Sequence, residues 1–492
     1  MFKKIRFRYV FVIYAIVLSV CVFNIYPTHD DWGYASPSKV ENLLSRLMPS
    51  KTFWRPLDAL YGYLLGYAPY LFPQLNHAIV LVGHFILCVI LFFLLRKFTK
   101  RKSSLYIGTL FFCLSPGIVA SITQTDYINQ IWAMVAGVTS CFYFLKTMKI
   151  NRKIYYLLWL SFAFLATLIK ENGIVWFIAP VMFNFICNLT NSNENLKELI
   201  KKHIVLFLIG ILGICLYFAV RFILMGEIAL GNSVNNLTST VKHANRYTID
   251  FSLFNIVKNY CYVFGGAATS IDTLAFFLKP RNWIVLFITS LVSILFILCL
   301  CSGLVGILKN KQRVFYLVIG LFICAGFISS PYVVMGHAGE VTAYEMTFSL
   351  AVILGIILDN AFTSRIMKII TVLMFICMIG VSAHKFWVMH DYTSSVNSFL
   401  IEHKADFKNT PSKIFVYFVE DIPEEGHASY RYPIGHGLGN GHAFKSLWNW
   451  KPEIKTKTVK SIDNVDFTPY SLPEYDTVLI LTQSGSLKIL KN

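Results

Sequence analysis

Eleven apolar runs, each close to the length needed to cross a bilayer, govern what this chain of 492 residues can become. A helix takes roughly 20 residues to pass through ~30 Å of hydrocarbon, and it satisfies its own backbone there. The runs fall at about 9–26, 76–95, 104–122, 126–146, 154–170, 173–190, 203–225, 283–308, 313–335, 343–361 and 366–386. Hydrophobic residues make up 56% and charged residues only 14%, which excludes an ordinary soluble domain. The expected fold class is an all-α polytopic membrane protein with about eleven transmembrane helices over residues 1–386. A small extracytoplasmic α/β domain is expected over 387–492. There KIFVYFVED and YDTVLILTQS read as buried strands, and GHGLGNGH between them as a mobile loop.

The formal charge of +18 is distributed in a way that sets orientation and argues against a nucleic-acid partner. Alternate loops, MFKKIRFR, RKFTKRKS, KTMKINRK, LKELIKK, KNKQR and SRIMK, hold twenty-one of the 44 Lys and Arg residues. The short loops between them hold almost none. This is the positive-inside pattern, with the N-terminus cytoplasmic and, for an odd number of spans, the C-terminus extracytoplasmic. The basic start before the first run also fits a signal peptide. No small-residue cleavage site follows it, so an uncleaved helix is expected. Of eleven cysteines, ten fall in apolar runs and Cys261 reads as loop. Without a CxxC spacing they read as packing residues. The long outer loops are 27–75 and 226–282. The first contains SPSKVENLLSRLMPS, which reads as a surface-lying helix, and a stretch at 56–73 that reads as a half-helix.

Sorting charged residues by side collects a set at the outer ends of the helices: His29, Asp30, Asp31, Arg55, Asp126, Lys170, Glu171, His337, Glu340 and Glu345. Charges this close to hydrocarbon usually face a cavity or a substrate path. Carboxylates beside cations can deprotonate a hydroxyl while a phosphate is held. Each residue also has a plainer role available. Asp30 and Asp31 can form a helix-end turn or cap the 38–48 segment, Asp126 can cap the helix that begins at Tyr127, Lys170 and Glu171 can pair within a hairpin turn, and Arg55 can snorkel to headgroups. His337, Glu340 and Glu345 can be solvated loop. The histidines of GHGLGNGH, spaced H-x₅-H without cysteines, are a weak metal signal.

Four motifs in order carry a family resemblance. HDDW (29–32) follows the first helix, FWRPL (53–57) comes next, LATLIKENGIVW (165–176) joins two helices, and AYEMTFSL (343–350) opens a later one. In these the chain resembles the GT-C-fold glycosyltransferases that use polyprenyl-phosphate-linked sugars. Its N-terminal half is similar to the transmembrane protein O-mannosyltransferases that carry tetratricopeptide repeats. The likeness covers about residues 1–190 and, thinly, 330–360. Met346 stands where the family has arginine, and the tail has no tetratricopeptide period.

The resemblance implies an inverting sugar transfer on the extracytoplasmic side, with Asp30 or Asp31 as general base. It also implies cations holding the lipid phosphate, for which Arg55 and Lys170 are the candidates and Arg221 a further one. His29, Asp126, Glu171, His337 and Glu345 would support the acceptor. The implied partners are a polyprenyl-phosphate sugar donor, a glycan, lipid or protein acceptor, and membrane lipids. No cofactor is expected; a divalent metal is conceivable for the wider class but not favoured. Two other readings stand beside this one. One is a polysaccharide polymerase or ligase working on diphosphate-linked glycans. The other is a lipid or solute transporter, which would favour midplane charges and inverted repeats that the sequence does not show.

Overall fold

The computed structural model describes residues 7–28, 31–34, 47–48, 54–57, 60–61, 75–150, 152–191, 195–225, 252–268, 283–334, 342–361, 365–407, 413–419, 434–439, 441–447, 453–466, 474–482 and 485–490. Its helices are α1 (Phe7–Phe23), α2 (Asp31–Tyr34), α3 (Leu75–Phe98), α4 (Lys102–Leu114), α5 (Val119–Thr123), α6 (Ile128–Ile150), α7 (Lys153–Ile169) and α8 (Ala179–Asn191). They continue with α9 (Leu196–Met225), α10 (Leu253–Ala268), α11 (Trp283–Asn310), α12 (Gln312–Val334), α13 (Ala343–Ala361), α14 (Arg365–Glu402), α15 (Ile434–Gly437) and α16 (His442–Leu447). Among the described residues, eight helical spans are long and apolar enough to cross a membrane. The bent pair α4–α5 and two shorter apolar helices, α1 and α7, match the remaining expected runs. Cys261, expected in a loop, lies in α10, whose apolar residues were masked in the sequence by the polar Lys258 and Asn259.

Helix α13 is the column on which the bundle is built. Its sequence, AYEMTFSLAVILGIILDNA, is apolar on every side, and 89% of the span is buried. A helix hydrophobic all round belongs in a core; here α3, α4, α10, α11 and α12 pack around it. At one end of α13, Asp359 accepts the backbone N–H groups of Lys100 (3.0 Å) and Arg101 (2.7 Å). A carboxylate there satisfies donors at the start of α4 and complements its dipole.

The break between α4 and α5 bends the span by 44°. Pro116 causes it, because proline brings no N–H and clashes with the preceding turn. The carbonyls freed by the break cannot be left to lipid. Ser382 donates to the Leu114 carbonyl (3.0 Å), and the buried Lys385 donates to the Pro116 carbonyl (2.9 Å). Ser115 bonds the Ala267 carbonyl at 2.9 Å, tying α10 to the same point. The approach is so close that a Cβ on Gly117 would lie 2.1 Å from the Gly266 carbonyl oxygen.

Helix α14 runs on without interruption to Glu402, so the expected division at 386 falls inside it. Its last turns bring Val396, Phe399 and Leu400 into a second core with the C-terminal sheet. That sheet has the order β2-β1-β3-β4, made of β1 (Lys413–Val419), β2 (Glu453–Val459), β3 (Thr477–Thr482) and β4 (Gly485–Leu490). Strand β1 is parallel to β2 and β3, and β4 is antiparallel to β3. The expected strands are β1 and β3, the two inner ones. GHGLGNGH is not the mobile loop expected of it. It forms α15 and α16 around a turn in which Gly439 and Gly441 take positive φ, with Leu438 fully buried. Most of the surface helix expected at 38–48, of the half-helix at 56–73 and of the 226–282 loop lies outside the described residues.

Gly117→Ala is expected to cost roughly 1–3 kcal/mol, since the added methyl meets backbone that cannot turn aside. Gly380→Ala, with nothing within 4 Å of its Cβ, serves as the neutral partner. Thermal unfolding of the two purified variants in detergent checks the difference.

Candidate active site

Helix α7 ends at Lys170, whose extended backbone (φ −153°, ψ 135°) turns the chain into a 3₁₀ segment, Glu171–Phe177. The turn folds back tightly: the Lys170 N–H donates to the Ala166 carbonyl (3.0 Å), and the Gly173 N–H to the Lys170 carbonyl (2.8 Å). A Cβ on Gly173 would lie 2.3 Å from the Ala166 carbonyl carbon. That is the physical reason for glycine in the Lys-Glu-x-Gly element.

Three consecutive side chains of this turn each reach a different part of the fold. Glu171 pairs with Arg55 Nε at 2.5 Å, and its other oxygen accepts the Trp54 N–H at 3.2 Å. Trp54 in turn stacks on Tyr217 of α9, with ring centroids 5.5 Å apart. Arg221 lies one turn further along α9 and is 8% exposed. Asn172 Nδ2 donates to the Tyr332 hydroxyl (2.5 Å) and to Glu345 Oε1 (3.0 Å). The Tyr332 hydroxyl donates onward to Gln130 Oε1. Lys170 Nζ sits 5.7 Å from the centre of the Tyr332 ring and within Coulombic reach of Glu345.

Glu345 is only 2% exposed. A carboxylate buried so deeply needs a nearby positive charge and hydrogen bonds; the Lys170 charge acts on it, and Asn172 bonds one of its two oxygens. Met346, where the family resemblance expects arginine, is buried among apolar side chains.

Asp31 opens α2. It is 3% exposed, its N–H donates to the Thr28 carbonyl (3.0 Å), and its Oδ2 accepts the Thr28 N–H (3.2 Å). This reciprocal bonding is the helix-end turn weighed from the sequence. Helix α2 packs between α16 and the 3₁₀ turn Thr125–Tyr127, which contains Asp126. Its next residue, Trp32, is buried in the core of the C-terminal sheet. Gln130 lies on the first turn of α6, just beyond Tyr127. The structure therefore brings Arg55, Lys170, Glu171, Glu345 and Arg221 together at the domain-bearing end of the bundle. Asp31 and Asp126 stand on two further segments that pack on one another, α2 and the 3₁₀ turn Thr125–Tyr127. His29, Asp30, His337 and Glu340 lie outside the described residues.

Sorting by charge overlooked Trp54, Gln130, Asn172, Tyr217 and Tyr332, because all are uncharged. Two of them were visible in the motifs: Asn172 is the variable position of Lys-Glu-x-Gly, and Trp54 precedes Arg55. Among the described residues, no three His, Cys, Asp or Glu side chains gather as a metal-binding group.

Below the polar cluster lies a cavity of about 700 Å³ between α3, α6, α8, α12 and α13. Its walls are apolar, including Met134, Val138, Phe183, Leu321 and Phe348. Glu345 stands at one end; Arg96 and Lys97, on the last turn of α3, stand at the other.

The fold has solved counterparts. ArnT from Cupriavidus metallidurans, in a crystal structure bound to undecaprenyl phosphate, aligns over 96% of this chain and 93% of its own, with a TM-score of 0.50 and 11% identity. No family model matches the sequence, and no curated protein matches it. Likeness at that identity speaks to the fold, and on that ground the chain is a polytopic membrane protein of GT-C architecture, with a small C-terminal sheet domain.

The Arg55–Glu171 pair, with each side chain about a quarter exposed, should behave as a coupled unit. In a double-mutant cycle with Arg55→Gln and Glu171→Gln, a coupling of about 1 kcal/mol in unfolding free energy is expected. Additive losses would show that the turn does not hold the 54–57 segment.

Proposed function

We propose that this protein is a membrane glycosyltransferase that moves a sugar from a polyprenyl-phosphate donor to an acceptor hydroxyl on the extracytoplasmic side. One juxtaposition carries the reading: cationic groups, Lys170 with Arg55 behind it, stand at the polar end of a bundle whose interior offers an apolar cavity. The overall architecture is similar to that of ArnT from Cupriavidus metallidurans, whose crystal structure holds undecaprenyl phosphate. The basic loops of α3–α4, α6–α7, α11–α12 and α13–α14 gather at the opposite end, in keeping with a cytoplasmic face there.

In this reading the donor's phosphate lies against Lys170 and Arg55, and its hydrocarbon chain follows the apolar cavity. Asp31, or its neighbour Asp30, accepts the proton of the acceptor hydroxyl. The acceptor oxygen forms a bond to the anomeric carbon from the face opposite the phosphate. The bond from that carbon to the phosphate oxygen breaks, and its electron pair leaves with the lipid phosphate. The configuration is thereby inverted. Fixed cations are what this step needs, because negative charge grows on the departing phosphate. The Thr28 N–H bonded to Asp31 keeps its carboxylate in place for the base role. The acceptor would be a glycan, lipid or protein hydroxyl presented beside α2 and the sheet domain.

Radiolabel transfer from a panel of polyprenyl-monophosphate sugars, in membranes with and without the chain, tests the reading; diphosphate-linked glycans form the contrasting arm. Transfer only from the diphosphate arm would favour the polymerase alternative. Asp31→Asn and Asp30→Asn are made singly and together, and loss of the base is expected to lower kcat by roughly 10²–10⁴-fold. Lys170→Met should cost on the order of 10²-fold in kcat/KM. Ser349→Trp, which fills the cavity wall, is expected to raise the donor KM with little change in kcat.

A further inference from the structure

Three adjoining buried side chains, on α6, the 3₁₀ segment Glu171–Phe177 and α13, leave polar atoms without a hydrogen bond among the described residues: Gln130 Nε2, Asn172 Oδ1 and Glu345 Oε2. Gln130, at 0% exposure, and Glu345, at 2%, are as deep as any residue in the bundle, and Asn172 is 6% exposed. An orphaned buried polar atom costs roughly 1–3 kcal/mol, so three in one network point to a ligand group that satisfies them. Their chemistry is fixed by the bonds already made. Gln130 Oε1 accepts from Tyr332, which leaves its amide N–H as the donor. Asn172 Nδ2 donates to Tyr332 and Glu345, which leaves its carbonyl oxygen as an acceptor. Glu345 uses Oε1 for Asn172, which leaves Oε2 as a second acceptor in the ionised form. The Gln130 amide is near enough to act on the Glu345 charge, but it does not make a hydrogen bond of good geometry.

One donor and two acceptors select among ligand groups. A phosphate only accepts, so it would leave the Asn172 and Glu345 oxygens unmatched. An ammonium only donates, so it would leave the Gln130 N–H unmatched. Hydroxyls do both, and neighbouring hydroxyls on a sugar ring present donors and acceptors at this spacing. Lys170, next in the chain to the turn and packed over Tyr332, supplies the adjoining phosphate-binding charge.

We propose that Gln130, Asn172 and Glu345, with Tyr332 fixing the two amides, form the subsite that reads the hydroxyls of the donor sugar. This subsite rests on the reading of the chain as a lipid-phospho-sugar transferase, and it adds residues that decide which sugar is accepted. Asn172 and Gln130 are binding residues here, and Tyr332 is a positioning residue that holds both amides in one orientation. Because α2 packs on the turn just before Gln130, the subsite and Asp31 share the N-terminal end of α6.

The test uses the full chain in lipid nanodiscs and equilibrium binding of two kinds of probe. One is bare undecaprenyl phosphate; the other is undecaprenyl phosphate carrying glucose, mannose or N-acetylglucosamine. The wild-type chain is expected to bind at least one glycosylated lipid about tenfold or more tighter than the bare lipid. Asn172→Ala and Gln130→Met should bring that ratio close to one while bare-lipid binding stays within about twofold. Retained bare-lipid binding also shows that the variants are folded. Four outcomes would overturn the subsite: no preference for any glycosylated probe, an unchanged ratio in the variants, an equal loss of both probes, or variants that do not fold. The isosteric Tyr332→Phe, which removes one hydroxyl, is measured beside them and should lower the ratio less than Asn172→Ala does. Failure of the wild-type chain to bind either kind of probe would instead remove the transferase reading itself.

Discussion

Four residues, Lys170 to Gly173, fasten the polar end of this bundle. Where α7 meets the next helix, the chain cannot leave its backbone groups or its charges to lipid. The turn closes on itself through Gly173, and its side chains diverge to three neighbours. Glu171 holds Arg55 and Trp54; Asn172 holds Tyr332 and Glu345; Lys170 lies over Tyr332 and offsets the buried carboxylate. Segments more than a hundred residues apart in sequence thus meet on one short stretch.

The same end of the molecule is tied to the C-terminal sheet by a second device. Trp32, directly after Asp31, is buried with Phe399, Phe418 and Phe444 in the sheet's core. Helix α14 continues unbroken from the bundle into that core. The aspartate turn therefore sits between membrane helices and sheet domain, and any motion of the domain against the bundle would carry Asp31 with it. At the other end, Asp359 caps α4, and basic side chains line the loops.

Much of this was legible in the sequence, for simple reasons. Spanning helices announce themselves by uninterrupted apolarity, and the expected runs reappear as helices or helix pairs. The inner strands β1 and β3 were legible for the same reason. Strand β2, EIKTKTV, was not, because an edge strand alternates polar and apolar residues and resembles exposed loop. The glycine-rich stretch misled because glycine serves close packing as well as mobility. Of the site, the charged members were legible from their position at the helix ends. Gln130 and Tyr332 were not: each looks like an ordinary helix residue, and only the hydrogen-bonded series Asn172–Tyr332–Gln130 sets them apart. Glu345 shows the limits of a motif in another way. Its neighbour Met346 departs from the family pattern, yet the glutamate is still hydrogen-bonded by Asn172 and feels the charge of Lys170.

The most direct measurement of the central claim is a cryo-electron microscopy structure of the chain with a polyprenyl-phospho-sugar bound. The account predicts phosphate density within hydrogen-bonding distance of Lys170, with the hydrocarbon chain entering the apolar cavity beside Glu345. Phosphate density at the opposite end, against Arg96 and Lys97, with the Lys170 turn empty, would contradict it.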